Sequence, residues 1–381
     1  MKQRIQVIDG LRGFALLGIL VANMLHFQFG INTYDQISPD TWWDQAAFYF
    51  TKIFVEGSFY PIFGFLFGYS VILFVQSFEN RGMKATGSLW RRALALIVLG
   101  FLHSIFIWDG DILLIYGLGL IIFMLFIKRQ AKTVAIWSAV LFTIMLPFAF
   151  VKGWILQLAS EEIVAVNDIF SNGSYLDILK HRLGITPEIL DPITMIFVLI
   201  IMPIALFFVG VFSAFLIGPA VLAGMASAKV SLFEAIESKK SLLKRFIWFI
   251  PIGLTLKSAI ALDSILADLL FQIGGSALAI GYIALFALLF IAAKESSLAK
   301  AFANLGKMSL TNYLLQSIIC TTIFYGYGLG LFGKLGVLVG LGIAFVVFAL
   351  QLLASNLYMK RFRSGPVEKL VRMFVYLGNN K

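Results

Sequence analysis

The first apolar segment of the chain carries a stripe of polar side chains, at Asp9, Arg12, Asn23 and His26. A helix turns by about 100° per residue, so the eleven steps from Arg12 to Asn23 return to within about 20° of the same direction. Polar groups inside a membrane span are costly and mark functional candidates. We therefore predict that this stripe faces the interior of a helix bundle and binds substrate. A structural ion pair between Asp9 and Arg12, three residues apart, is an equally favoured interpretation.

A histidine near the end of the third apolar segment is the strongest candidate for catalysis. His103 is followed by Asp109 and Asp111 in what reads as a short turn. An imidazole can accept a proton from a hydroxyl or an amine near neutral pH, and a nearby carboxylate would orient it. The turn must fold the two acids back, because separations of six and eight residues do not place them on the His103 face of one helix. A histidine hydrogen-bonded between helices is the alternative.

Two further groups are candidates for binding. Ser309, Asn312 and Gln316 share one helix face and could contact a thioester donor or an acceptor sugar, although interhelical hydrogen bonding is the favoured alternative. Arg91 and Arg92 could hold the phosphates of coenzyme A, or could be ordinary anchors at the cytoplasmic surface. The three histidines and the single cysteine are too few and too scattered for a metal site, and none is expected.

The composition excludes an ordinary soluble protein. Of the 381 residues, 60% are hydrophobic and 13% are charged, against about 45–50% and about 25% in an average soluble domain. Apolar runs long enough to cross a hydrocarbon layer of about 30 Å recur along the chain. We predict an all-α, polytopic bundle of about ten transmembrane helices forming a single domain over 1–381.

The apolar segments are separated by polar or charged breaks. They cover residues 8–29, 47–78, 90–107, 111–127, 133–151, 193–226, 246–262, 266–293, 305–326 and 335–358. The second and sixth exceed the length of one crossing and contain Gly and Pro, which predicts tilted, kinked or partly re-entrant segments. The connection at 152–192 is predicted to be external, either as a short amphipathic helix or as a plain connector.

The distribution of Lys and Arg along the chain predicts its orientation in the membrane. With the N-terminus in the cytoplasm, 24 of the 30 Lys and Arg residues fall in cytoplasmic segments, as the positive-inside rule requires. An even number of spans places both termini in the cytoplasm, with 359–381 as a cytoplasmic tail. The net charge of +10 therefore gives no support to a nucleic-acid partner.

The sequence Asp9-Gly10-Leu11-Arg12-Gly13 resembles the opening of the membrane acyltransferase superfamily. That group includes the acyltransferase-3 proteins and proteins like the lysosomal heparan-glucosaminide acetyltransferase. In acyltransferase-3 proteins a His follows the Arg of this motif after ten residues, whereas this chain has Asn23, as in the glucosaminide-acetyltransferase-like branch. Because Asn cannot act as a general base, this departure removes one catalytic candidate.

Motifs along the rest of the chain resemble the YeiB-like family, a bacterial family of unknown function placed near those acyltransferases. They lie at 63–68, 91–92, 100–103, 109–113, 305–317 and 365–372. The resemblance covers essentially the whole chain and implies a multi-pass protein of the bacterial plasma membrane. It also implies that His103 corresponds to the membrane-embedded His taken as catalytic in the glucosaminide-acetyltransferase-like branch.

The first functional hypothesis is a transmembrane acyltransferase. An acyl-coenzyme A would donate its acyl group from the cytoplasm to a hydroxyl or amine of an envelope glycan or lipid outside. Acyl-coenzyme A is then a co-substrate, and no bound cofactor is expected. The alternatives are a transporter or flippase that uses the same buried polar stripe, and a non-catalytic membrane partner. The lipid bilayer is a partner under each of these hypotheses, and a homo-oligomer is compatible with the sequence.

Overall fold

The computed structural model describes residues 6–31, 37–147, 168–185, 192–262 and 264–377, and within them the chain is helical without any strand. Helices α1 to α8 cover Gln6–Phe29, Trp42–Phe50, Phe59–Glu79, Thr86–Phe106, Leu113–Phe123, Ala131–Met145, Tyr175–Arg182 and Pro192–Lys229. Helices α9 to α15 cover Ile236–Phe246, Phe249–Ser258, Ile265–Ala292, Ser297–Lys307, Ser309–Phe324, Val337–Arg361 and Pro366–Val375. The all-α class predicted from the sequence is confirmed.

Length and composition identify six of the described helical segments as able to cross a membrane. They are Gln6–Phe29, Trp42–Glu79, Thr86–Phe106, Ile236–Leu262, Leu266–Ala292 and Val337–Arg361. Three shorter apolar helices, Leu113–Phe126, Ala131–Met145 and Ala214–Lys229, occupy three more of the expected spans. The remaining expected span corresponds to α13, which is only 16 residues long and rich in buried polar residues.

Helix α14 shows the inverted polarity of a lipid-facing helix. Its leucines Leu350, Leu353 and Leu357 are between 61% and 66% exposed, whereas Gln351 and Ser355 are buried. In water this arrangement would expose apolar surface and bury polar groups at a cost, but lipid tails solvate leucine well. The chain is therefore a multi-pass helical membrane protein.

The two long Gly- and Pro-containing segments differ in form. In the second segment, α2 continues into a single π-helical turn at Thr51–Val55, and Gly57 then takes a left-handed conformation with φ of 69° before α3 begins. The sixth segment is one continuous helix, α8, of 38 residues. At 1.5 Å per residue α8 is about 57 Å long, so it must be tilted or project from the hydrocarbon layer.

Close approaches of backbone hold the helices around one buried core. At Gly68 and Gly224, a Cβ atom would clash with the backbone carbonyl of the facing helix, so glycine lets the backbones of α3 and α8 touch at these two positions. The main cluster of buried apolar residues extends from Val7 in α1 to Phe348 in α14. This core fixes the relative positions of the helices that carry the candidate site.

The expected external connection at 152–192 lies partly outside the described residues. Its described part contains a helical turn at 168–172 and α7, and buries Phe170 and Ile178 against the bundle. The Ser174 side chain caps α7 in a reciprocal arrangement with Asp177, whose pKa is lowered by these hydrogen bonds. The segment thus forms an ordered cap over one end of the bundle, the end predicted to be external.

Candidate functional site

His103 and Asp111 form a buried pair at the end of the helical hairpin α4–α5 that is predicted to be external. The Nδ1 atom of His103 lies 2.8 Å from Oδ1 of Asp111, and their side chains are 1% and 2% exposed. The other carboxylate oxygen, Oδ2, accepts the backbone N–H of Leu114 at 2.7 Å and so caps the start of α5. The turn at 107–112 therefore folds back onto α4, as the sequence-based hypothesis required.

The hydrogen bonds of the pair fix the roles of the two imidazole nitrogens. An ionised carboxylate can only accept, so Nδ1 of His103 must donate its proton to Asp111. In the neutral imidazole, the Nε2 atom then carries the lone pair, and the described residues give this buried atom no hydrogen-bond partner. A histidine held in this tautomer is arranged to accept a proton at Nε2.

Gly100 makes the close approach of Asp111 to α4 possible. A Cβ atom at this position would lie 2.6 Å from Oδ2 of Asp111 and 2.7 Å from Cα of Leu114. Both distances are far inside van der Waals contact, so any larger residue would push the start of α5 away from α4. The glycine one turn before His103 is thus part of the construction of the site.

Asp109 does not join the pair. Its carboxylate is 41% exposed and lies 3.6 Å from Nη2 of Arg182 in α7. The expectation that both acids orient His103 is therefore corrected, because Asp109 points to Arg182 in the cap formed by 168–185. The side chain of Trp108, the preceding residue, turns inward, where its ring lies 4.3 Å from that of Phe27. Sequence spacing alone could not choose between the two acids.

Tyr313 adjoins the pair from α13. The centres of its ring and the His103 ring are 5.3 Å apart, and its hydroxyl oxygen accepts the backbone N–H of Ile112 at 3.2 Å. Its ring is also near enough to Tyr60 and Tyr116 for electrostatic interaction. The sequence analysis missed Tyr313, although it lies inside the ninth-span motif at 305–317.

The polar stripe of α1 faces the bundle. Asp9 and Asn23 are 2% and 3% exposed, and His26 is half-buried three residues beyond Asn23. Arg12 pairs with Asp9 at 2.9 Å and donates a second hydrogen bond to Ser70. Asn23 accepts a hydrogen bond from the hydroxyl of Tyr60. The stripe therefore joins α1 to α3, and its role in substrate binding stays a prediction.

The three polar residues of α13 have different surroundings. Asn312 donates to Ser355 at 2.9 Å, and Gln316 donates to Gln351 at 3.0 Å, so both amides bind α14. Ser309 lines a cavity between α13 and the neighbouring helices. For the two amides the geometry matches the interhelical alternative, and their predicted contact with substrate has no support from their position.

The side chains of the two adjacent arginines of α4 point in different directions. Arg91 donates to the backbone oxygens of Val375 and Leu377, where it caps the end of the tail helix α15. Arg92 points into the bundle, with its guanidinium 5.2 Å and 5.7 Å from the ring centres of Phe67 and Phe74. Only Arg92 of this pair lies where it could reach a ligand in the cavity.

This cavity has a volume of about 310 Å³ and extends inward from the end of the bundle predicted to be cytoplasmic. Near that end it is lined by the cations Arg12, Arg92, Lys307 and Arg372 and by one acid, Glu368. Its inner part is lined by Leu96, Leu113, Tyr116 and Tyr313. The inner part thus ends at the tyrosine that adjoins His103.

Glu368 fixes the tail helix against the cavity. Its Oε1 accepts the backbone N–H groups of Leu310 and Thr311 at 2.7 Å and 3.1 Å, and its Oε2 accepts the Thr311 hydroxyl at 2.6 Å. A carboxylate at the N-terminus of a helix is electrostatically favourable. Arg91 holds the other end of α15, so this helix forms one wall of the cavity. The tail motif at 365–372 could not have predicted this position.

Among the described residues, no group of three or more His, Cys, Asp or Glu side chains is arranged to hold a metal ion. The polar groups of the site are instead an imidazole–carboxylate pair, a cluster of tyrosines and a set of cations. These groups could move a proton and bind phosphates. Together with the lipid-facing surface, they define a polytopic α-helical membrane protein with a cavity whose mainly apolar lining includes cations and tyrosines.

Comparison with known proteins places the chain in a family. A family described as "Protein of unknown function (DUF418)" matches residues 227–378. The chain is 31% identical to the uncharacterised protein YxaH of Bacillus subtilis, over 99% of this chain and 95% of the relative. It is 29% identical to the uncharacterised protein YeiB of Escherichia coli, over 97% and 96%. The chain belongs to this YeiB-like DUF418 family, as its motifs predicted.

Proposed function

We propose that the protein is an acyltransferase of the bacterial plasma membrane. It would take an acyl group from acyl-coenzyme A on the cytoplasmic side and pass it to a hydroxyl or amine of an external glycan or lipid. The observation that carries the proposal is the cavity, which joins a cationic mouth to the tyrosine beside the His103–Asp111 pair. The resemblance of Asp9–Gly13 to the acyltransferase superfamily agrees with it.

The mouth suits the phosphates of coenzyme A. Four cations face one acid there, and guanidinium groups bind phosphate oxygens in pairs. Arg92 and His103 are eleven residues apart on α4, which corresponds to about 16 Å along the helix. The extended pantetheine arm of coenzyme A covers a distance of this order, so the phosphates could stay at the mouth while the thioester reaches the inner part.

In the proposed reaction, His103 acts as the general base. Its Nε2 takes the proton of the acceptor hydroxyl or amine while the acceptor oxygen or nitrogen bonds to the thioester carbonyl carbon. The carbon–sulfur bond then breaks, and the sulfur leaves with the proton that Nε2 had taken, as free coenzyme A. Asp111 stabilises the intermediate imidazolium through its contact with Nδ1. The products are the acylated acceptor and coenzyme A.

The test uses the purified full-length protein in nanodiscs with radiolabelled acetyl-coenzyme A. We expect slow release of labelled acetate, because water can replace the acceptor, and we expect His103→Ala to abolish it. His181→Ala is the matched control, since this exposed histidine lies in the external cap. Equal release by wild type and His103→Ala, with both proteins folded, would contradict the proposal. Transmembrane flux that persists in His103→Ala would favour the transporter alternative.

A further inference from the structure

The external cap holds a buried arginine between two aromatic rings. The side chain of Arg182, the last residue of α7, is 3% exposed. Its guanidinium carbon lies 5.8 Å from the ring centres of both Phe170 and Tyr325. The rings hold the flat guanidinium in place but offer it no carboxylate.

Two of the three nitrogens of the Arg182 guanidinium are buried without a hydrogen-bond partner among the described residues. Its Nη1 donates to the backbone oxygen of Ile105 at 3.4 Å. Its Nε and Nη2 are buried, and the described residues give neither a hydrogen-bond acceptor. These two nitrogens form the edge with which an arginine binds a carboxylate or phosphate through two parallel hydrogen bonds. A buried cation with this edge empty is costly unless a ligand fills it.

Asp109 stands where such a ligand would bind. Its Oδ1 is 3.6 Å from Nη2 of Arg182, too far for a hydrogen bond, and its side chain is 41% exposed. The carboxylate is therefore free to turn outward into water. An incoming anion could then take the position of this carboxylate beside Nη2 of Arg182.

The Nε–Nη2 edge of Arg182 lies close to the candidate catalytic pair, His103 and Asp111. Ile105, which accepts from Arg182, is two residues from His103, and Asp109 is two residues from Asp111. The indole Nε1 of Trp108, in the same turn, is also buried without a hydrogen-bond partner among the described residues. Unused polar atoms on three side chains, His103, Trp108 and Arg182, thus surround the α4–α5 turn.

We propose that the Nε–Nη2 edge of Arg182 binds a carboxylate or phosphate group of the acceptor at the external side, and that Asp109 holds this position when no ligand is bound. The inference rests on the proposed function, because it names the acceptor of that reaction as an anionic molecule. Anion binding itself is measured without acyl-coenzyme A, so the two can fail separately.

The experiment measures binding of defined anions to the full-length protein in a maltoside detergent, which carries no phosphate. The probes are inorganic phosphate and glucuronate, with glucose as the neutral control, and binding is followed by the shift in thermal unfolding. Phosphatidylglycerol, added to the same protein, tests a lipid headgroup as the source of the anion. We expect stabilisation by at least one of these anions and none by glucose.

Three variants make the test specific. Arg182→Lys should weaken anion binding at least tenfold, because an ammonium lacks the two-pronged edge. Asp109→Asn should strengthen it several-fold, because the internal competitor is removed. Lys180→Gln, which removes an exposed cation from the same helix, should change nothing. A His103→Ala protein that keeps anion binding but loses acetate release would support both proposals.

Two results would overturn the inference. The first is the absence of any Arg182-dependent stabilisation by phosphate, glucuronate or phosphatidylglycerol. The second is weaker anion binding in Asp109→Asn, which would show that Asp109 helps to hold Arg182 in a purely structural pair. Binding by phosphatidylglycerol alone would identify a lipid acceptor, and binding by the free anions would identify a soluble or glycan acid.

Discussion

Replacement of Gly100 by alanine tests the construction of the His103–Asp111 pair. The added Cβ atom would lie 2.6 Å from Oδ2 of Asp111, where about 3.4 Å is needed for ordinary contact. It would also strike the backbone of Leu114. Because backbone atoms cannot rotate aside as side chains do, the start of α5 must move outward by about 1 Å, the difference between the two distances.

A displacement of this size is enough to break the pair. The contact between Nδ1 of His103 and Oδ1 of Asp111 is 2.8 Å, so moving the carboxylate by about 1 Å takes it beyond hydrogen-bond distance. We expect overpacking to cost about 1–3 kcal/mol of stability. We expect acyl transfer to fall about 100-fold, since that is the order of loss for a misplacement of 1 Å at a reacting group.

Nuclear magnetic resonance of ¹⁵N-labelled histidine provides the assay. The chain has only three histidines, so the His103 signals can be assigned by comparison with His103→Ala. In the wild type, Nδ1 should carry the proton. In Gly100→Ala, the loss of its acceptor should allow the other tautomer to appear. Thermal unfolding in the same nanodiscs measures the cost in stability.

The control is Gly117→Ala, in the same helical hairpin. A Cβ atom there would lie 2.7 Å from the backbone nitrogen of Ile97, so it also forces α4 and α5 apart, but away from Asp111. We expect a comparable loss of stability with the His103 tautomer unchanged. If Gly100→Ala left the histidine signals as they are in the wild type, the reasoning about the pair would be refuted.

Three further substitutions test other parts of the site. Glu368→Gln should weaken the attachment of the tail helix to the N-terminus of α13 and lower stability by about 1.5–3 kcal/mol. Proteolysis of the tail should then be faster, whereas Glu295→Gln, at an exposed acid, should leave the rate of proteolysis unchanged. Arg92→Lys should weaken coenzyme A binding about tenfold in calorimetry, because an ammonium cannot contact the two phenyl rings and bind phosphate at the same time. The control is Arg81→Lys, at an exposed arginine near the Phe78 ring and outside the cavity. Asn312→Ala should cost about 1 kcal/mol of stability and leave coenzyme A binding unchanged. Weaker binding would support the prediction that Asn312 contacts substrate.

Helical periodicity predicted the parts of the site that lie on one helix. The direction of the α1 stripe follows from 3.6 residues per turn, and Asp9 and Asn23 are buried accordingly. The common face of Asn312 and Gln316 follows in the same way. Helical periodicity predicts which residues share a face of a helix, but not which other helix packs against that face. It therefore could not predict that these two amides bind α14.

The parts that the sequence could not predict lie in turns and between distant helices. Whether Asp109 or Asp111 reaches His103 depends on backbone angles over the six residues 107–112 and on the burial of Trp108. The approach of Tyr313 to His103 joins residues more than two hundred positions apart. Neither a residue type nor a local spacing contains this information, because it is set by packing of the whole bundle.

The hydrogen bonds that hold the α4–α5 turn agree better with the proposed acyl transfer than with the transporter alternative. His103 and Leu114 bind the two oxygens of Asp111, and the hydroxyl of Tyr313 accepts from Ile112. A transporter would have to move this turn to open a path from the cavity to the outside, and each hydrogen bond left unmade in the buried site would cost about 1–3 kcal/mol. A transferase needs the opposite, since its base must stay fixed while donor and acceptor arrive. The fixed turn lies between cations at the mouth predicted to be cytoplasmic and Arg182 in the cap predicted to be external, an arrangement compatible with the proposed reaction between molecules that approach from opposite sides of the membrane.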